Sequence, residues 1–175
     1  EKIKNYNYEE QLNDSQQLMS LFKTMLTHPK LIISCVSGPA IAGGCGLVTA
    51  SDISFATHES KFGYPEVKIG FTPALVSTFL IQKITENKAR ELLVTGRIID
   101  GKEAHQIGLI NYLCDQHKIE DQVFNFIQNF IKNTSAASIK RTKEIMYYSL
   151  GLDAKLNKAA EINAKSRMED DFKKG

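Results

Sequence analysis

The sequence predicts an α/β chain whose last third is wholly helical, and three observations carry that prediction. Short, branched apolar runs at 31–36 and 52–56 alternate with stretches of helical spacing, in the order helix, strand, helix, strand. That order suits a parallel core with right-handed crossovers. From Glu120 onward the apolar residues recur only at helical intervals. Finally, 42% hydrophobic residues in a chain of 175 provide for one domain with a buried core.

The elements follow in order. Leu12, Leu18, Phe22, Met25 and Leu26 recur at near-helical spacing, predicting a helix over 8–28 that Pro29 stops. The run 31–36, bordered by Pro and Gly, is a buried strand by its length and branching. Ser37-Gly38-Pro39 is a turn signal. The small residues 40–46 allow close backbone approach, and Leu47-Val48 start a buried helix. Residues 52–56 alternate as a second strand. Residues 57–74 read as irregular and hold most of the polar singularities, Glu66 among them. Two short helices are predicted over 75–84 and 87–95, the second closed by Gly96. Asp100 and Glu103 have the spacing of a capping box for a helix ending near Gly108. A strand follows over 109–114. Val123, Phe126, Ile127, Phe130 and Ile131 form an apolar stripe, with further helices at 138–150 and 153–168 divided by Gly151. The change in pattern near Glu120 divides the chain into a core, 1–119, and a helical region, 120–175. A helical tail without a core of its own is suited to packing on a second subunit.

Composition excludes several classes of function. A net charge of +2, with Lys spread among Asp and Glu, gives no polyanion field and hence no expectation of a nucleic-acid partner. No apolar run reaches the length of about 20 residues that a membrane helix needs. The opening Glu1-Lys2-Ile3-Lys4 lacks an initiator Met and is not a signal peptide. Cys35, Cys45 and Cys114 are an odd number without CxxC spacing, which argues against a disulfide framework or a zinc site and for a reducing, cytoplasmic setting. His28, His58, His105 and His117 show no metal-ligand spacing, so no metal is assigned.

Two segments carry candidate chemistry. Gly43-Gly44 follow a strand and open a helix, where unpaired backbone N–H groups and a partial positive charge can hold an anion. No Lys-Ser/Thr follows and the spacing is not GxGxxG, so an oxyanion hole is the functional reading and a tight packing turn the structural one. Glu66 follows Pro65 among Phe62, Tyr64, Val67, Ile69 and Phe71. Desolvated there, its carboxyl would have a raised pKa suited to acid/base work; the alternative is a loop glutamate in water. Cys45 reads as a small packing residue.

These segments resemble a known family. The stretch His28-Pro-Lys-Leu-Ile-Ile-Ser-Cys-Val-Ser-Gly-Pro-Ala-Ile-Ala-Gly-Gly-Cys-Gly-Leu, then Ser51-Asp-Ile, Lys61-Phe-Gly-Tyr-Pro-Glu-Val-Lys-Ile-Gly-Phe-Thr-Pro, Ala89-Arg-Glu-Leu-Leu-Val-Thr-Gly and Glu103-Ala-His-Gln-Ile-Gly-Leu-Ile are similar, in order, to the enoyl-CoA hydratase/isomerase (crotonase) superfamily. The resemblance implies a crotonase-like spiral core of ββα units, incomplete here, and a C-terminal trimerisation region, hence a homotrimer or a dimer of trimers. It implies an acyl-CoA thioester substrate and no cofactor, since coenzyme A is part of the substrate. One family oxyanion amide falls on Gly43, flanked by Ala42 and Gly44, and one acid/base glutamate on Glu66. Tyr64 and Phe71 are candidate walls of the acyl pocket. Lys173 and Lys174 are candidates for coenzyme A contacts, with a solvated terminal pair as the alternative.

Two departures stand out. The second family glutamate falls on Gly46, leaving one carboxylate of the pair. The family's other oxyanion amide lies in a segment of the type Ser-Ala-Gly-Ala-Asp, which this sequence does not contain. The expectation is therefore of an internal fragment, inactive by itself, from an enoyl-CoA hydratase. An enoyl-CoA delta-isomerase and a non-catalytic acyl-CoA-binding member are the alternatives. A lone carboxylate favours isomerisation. The stretch Pro65-Glu-Val-Lys-Ile-Gly-Phe-Thr-Pro-Ala is similar to hydratases of the methylglutaconyl-CoA type, some of which carry Gly after the glycine-rich turn.

Overall fold

Asn7 starts the first long helix with a reciprocal box. Its side-chain oxygen accepts from the Glu10 N–H at 3.0 Å, and the Glu10 carboxylate accepts from the Asn7 N–H at 2.8 Å. Helix α1 (Tyr8–Thr27) follows, as its apolar spacing predicts. The computed structural model describes residues 3–174; Glu1 and Lys2, half of the tetrapeptide read for a leader, lie outside the described residues.

Strand β1 (Ile33–Val36), strand β2 (Pro39–Ile41), helix α2 (Gly43–Ala50), strand β3 (Ile53–Thr57) and strand β4 (Lys61–Gly63) come next. A 3-10 turn, Pro65–Ile69, leads into helix α3 (Ala74–Lys83) and helix α4 (Glu86–Thr95). Strand β5 (Ile98–Asp100), helix α5 (Gly101–Gln106) and strand β6 (Tyr112–Cys114) complete the mixed portion. Four helices close the chain: α6 (Ile119–Asn133), α7 (Ala136–Ser149), α8 (Leu152–Ser166) and α9 (Asp170–Lys174).

The strands form two three-stranded sheets. In one, β1, β3 and β6 lie side by side and parallel; in the other, β4 pairs parallel with β2 and antiparallel with β5. The expected strands at 31–36, 52–56 and 109–114 are those of the first sheet. The second sheet corrects the reading of 37–42 and 57–74 as turn and irregular chain. Its strands are three residues each and built on Pro39, Ala40, Lys61 and Gly63, too short and too small to show an alternation. Helix α2 starts at Gly43, four residues ahead of the start read from Leu47-Val48, because its three glycines hide the helical pattern. The Asp100 cap is half of the expected box: its carboxylate accepts from the Glu103 N–H at 2.8 Å, but the Glu103 side chain pairs with Arg97 instead.

One core joins the mixed portion to the tail. Phe22, Cys45, Val48, Phe62, Tyr64, Leu80, Leu92, Ile99, Leu156 and Ala160 are all buried in it. Helix α8 packs against α1 and α3, and the α1–α8 seam also carries buried polar pairs. Ser15 Oγ donates to Asn163 Oδ1 at 2.9 Å, and Arg167 reaches Gln11 Oε1 at 3.3 Å. A smaller cluster of Phe55, Cys114 and Ile119 lies under α6, with Phe126 partly buried against it. The outer faces of α6 and α7 leave Phe124, Ile131, Ile145, Met146 and Tyr148 exposed. Among the described residues no helix is long and apolar enough to cross a membrane.

Candidate active site

Parallel pairing decides where the two candidate segments emerge. Ile41 on β2 lies in register with Gly63 on β4, and the Ala42 N–H donates to the Gly63 carbonyl at 2.9 Å as the last rung. Both strands therefore end at the same edge. Gly43 is two residues past Ile41 and Glu66 three past Gly63, so the glycine turn and the glutamate turn leave side by side from the C-terminal ends of adjacent parallel strands. That is where α/β folds characteristically place ligands.

The glycine turn is bent by Ala42. Its φ of 53° and ψ of −123° make it the one non-glycine residue with positive φ among those described, a conformation that costs about 1–3 kcal/mol. The bend lets α2 begin at Gly43 with no intervening loop, and Gly46 N–H closes the first turn on the Ala42 carbonyl at 2.9 Å. First-turn amides have no carbonyl behind them, and none of the described residues accepts from Gly43 or Gly44. Both glycines are exposed, and a Cβ on either would meet nothing within 4 Å. Two backbone donors thus stand without a partner among the described residues at an exposed turn.

Glu66 is held in the 3-10 turn, with the Phe71 N–H donating to its carbonyl at 3.0 Å and Gly70 (φ 68°) ending the turn. Its side chain is the reverse of a solvated loop glutamate. The residue is only 8% exposed, and Oε2 has no hydrogen-bond partner among the described residues. Burial pushes its carboxyl pKa above the usual range, countered by a hydrogen bond from its own backbone. A buried carboxylate oxygen without a partner costs stability, and carboxyls perturbed in this way cluster at functional sites.

Behind the glutamate, Tyr64 is wholly buried, and its hydroxyl lies 2.5 Å from Thr49 Oγ1. Thr49 in turn donates to the Cys45 carbonyl at 2.7 Å, so the Tyr64 hydroxyl donates to Thr49. Burial raises the Cys45 thiol to about 11 and the Tyr64 phenol well above its ordinary value, and the Glu66 charge adds to both. Glu66 is thus within electrostatic reach of α2.

The residues read as candidates separate accordingly. Ala42, Gly43, Gly44 and Glu66 come to one sheet edge. Gly46 faces inward, where a Cβ would stand 2.9 Å from Phe22 Cζ. Tyr64 supports the site from within the core rather than offering a surface to it. Phe71 lies between Phe172, at 5.7 Å between ring centroids, and the Arg167 guanidinium, 4.8 Å from its own ring centre. Lys173 and Lys174 are exposed on α9. Phe22 and Thr49 shape the site without any local signal in the sequence; only the fold brings them there. A cavity of about 670 Å³ lies elsewhere, beside the C-terminal end of α2, lined by Leu26, Phe79, Phe130 and Ile139.

The sequence pattern of the family described as enoyl-CoA hydratase/isomerase matches residues 1–175. A relative from Thermus thermophilus is 37% identical over 177 residues, spanning 100% of this chain and 70% of its own length. A short-chain-enoyl-CoA hydratase from Clostridioides difficile is 34% identical over 136 residues, covering 77% of this chain and 85% of its own. Among solved structures, an enoyl-CoA hydratase from Mycobacterium avium superposes with a TM-score of 0.85 at 24% identity; the match covers 94% of this chain and 65% of that one.

Proposed function

The chain belongs to the enoyl-CoA hydratase/isomerase family, and from that premise we propose that its protein hydrates an enoyl-CoA thioester, with Glu66 as the proton carrier and the Gly43 amide as an oxyanion donor. The observation that carries this reading is the buried Glu66 carboxyl, its Oε2 without a partner among the described residues, beside a free helix N-terminus at one sheet edge. A thioester oxygen on the Gly43 N–H would gain charge as the α-carbon becomes enolate-like, and one such donor is worth about 3 kcal/mol of barrier. Glu66, as carboxylate, would take a proton from water while the water oxygen bonds to the β-carbon. The same proton would return to the α-carbon as the enolate collapses. One carboxylate thus suffices for a balanced addition, and its raised pKa matches both halves of the transfer. No resident cofactor enters this reading, and the apolar faces of α6 and α7 suit the self-association that the family resemblance implies.

A second reading has an observation of its own. Phe22 fills the space beside Gly46, where a second family carboxylate would stand. A single base that removes a proton at one carbon and returns it two carbons away is an isomerase. Assay of the purified protein on crotonyl-CoA and on a 3-enoyl-CoA separates the two. Hydration of crotonyl-CoA to the 3-hydroxy product is expected, whereas turnover of the 3-enoyl thioester alone, by double-bond shift, would overturn the hydratase reading. Binding of both thioesters without turnover would identify a non-catalytic member.

A further inference from the structure

Lys83 is the last residue of α3, and it reaches across to the far end of α2. Its ammonium donates to three carbonyls there: Val48 at 3.2 Å, Thr49 at 3.1 Å and Ser51 at 2.9 Å. A helix leaves its last carbonyls without intrahelical donors, and an ammonium has three N–H groups. Three donors fall on three acceptors, of which the Val48 carbonyl is shared with the Ser51 N–H at 3.2 Å, and a cation at this end also complements the helix dipole.

This end of α2 is mechanically tied to both arms of the candidate site. The helix has eight residues, so Gly43 lies only about 12 Å away along a rigid rod. Thr49, whose carbonyl Lys83 holds, also receives the Tyr64 hydroxyl, and Tyr64 leads directly into Pro65 and Glu66. We propose that Lys83 is a positioning residue, fixing the C-terminal turn of α2 and through it both the direction of the Gly43 N–H and the seat of the Glu66 turn. The proposal rests on the enolate reading of the site for its effect on turnover, but not for its effect on α2.

The surroundings of Lys83 make the role testable by pH. Burial brings the Lys83 ammonium down to about 8, with Asp52 and Cys45 opposing the fall. Lys83 lines the cavity beside the C-terminal end of α2 together with Lys143, which is paired with Asp52 at 2.6 Å. Cys45, at about 11, titrates well above Lys83. Loss of one proton leaves an amine with two N–H groups for three carbonyls and removes the charge.

The test is a pH titration of the wild-type protein labelled with 13C-glycine, followed at the Gly43 and Gly44 carbons, alongside kcat and KM for an enoyl-CoA. Both glycine signals are expected to shift with one midpoint near pH 8. In the same interval kcat should fall by about tenfold or more, as for a small misplacement of a reacting group, with KM little changed. Lys83→Arg keeps its charge, so it should abolish both transitions. The wild-type titration decides on its own if the arginine does not fit. Glycine signals that stay fixed from pH 7 to 9.5, or a transition that survives in Lys83→Arg, would overturn the proposal. Shifting signals in a protein that turns over no enoyl-CoA would uphold the role of Lys83 and count against the enzymatic reading instead.

Discussion

The ring of Phe22 stands against Gly46: a Cβ built on that glycine would lie 2.9 Å from Cζ and 3.3 Å from Cε1. Phe22 is 2% exposed and packs edge-on to Phe79 at 5.2 Å, so it has little room to retreat. Ordinarily, alanine in place of glycine inside a helix stabilises by about 1 kcal/mol. Here the sign reverses. Gly46→Ala is expected to destabilise by about 1–3 kcal/mol through overpacking, measured by urea denaturation. Shortening the ring with Phe22→Leu should recover part of that loss in the double variant. A Gly46→Ala protein as stable as wild type would show that the ring moves freely.

Glu66→Gln should make the protein more stable while making it a poorer catalyst. The folded-state pKa of Glu66 is raised, so its favourable contribution is complete below the ordinary carboxylate range and is lost as pH rises through the folded value. At neutral pH the charged, desolvated carboxylate is a burden that the amide removes. The Tm of Glu66→Gln is therefore expected to exceed that of wild type at pH 7–8, with the gap closing toward pH 4. A lower Tm at pH 7 would mean that the carboxylate is stabilised by contacts other than those described.

Much of this arrangement was legible in the residues, and the rest was hidden for physical reasons. The apolar neighbours of Glu66 signalled a desolvated carboxyl, and the glycines at 43 and 44 signalled open helix amides. Two facts needed the fold. The parallel register of Ile41 with Gly63 brings those segments to one edge, but three-residue strands carry no periodicity of their own. The ring that covers Gly46 comes from the middle of α1, where Phe22 looks like any other member of an apolar stripe. Tyr64 and Phe71 illustrate the opposite limit. Aromatic residues beside a candidate acid suggest a pocket wall, yet sequence gives no direction to a side chain: Tyr64 is wholly buried, and the half-buried Phe71 stands against Phe172.

Lys143 fastens α7 to the core. Its ammonium donates to Asp52 Oδ2 at 2.6 Å, the Lys30 carbonyl at 3.2 Å and the Met25 carbonyl at 3.4 Å, and Asp52 Oδ2 also accepts from the Ile32 N–H at 2.7 Å. Removing one partner from a buried pair leaves the other uncompensated. Lys143→Met is expected to cost about 3 kcal/mol, and Lys143→Met with Asp52→Asn clearly less than the sum of the two single variants. Strict additivity in a double-mutant cycle would show that the pair contributes nothing beyond its separate backbone contacts.

The central claim is that Glu66 moves a proton at the α-carbon of a thioester whose oxygen rests on the Gly43 amide. Exchange of α-protons of a saturated acyl-CoA in D2O, followed by proton NMR, isolates that step from hydration and from double-bond migration alike. Wild-type protein should wash deuterium into the α-position, and Glu66→Gln should do so at least about a hundredfold more slowly. Equal exchange rates in the two proteins would contradict the claim.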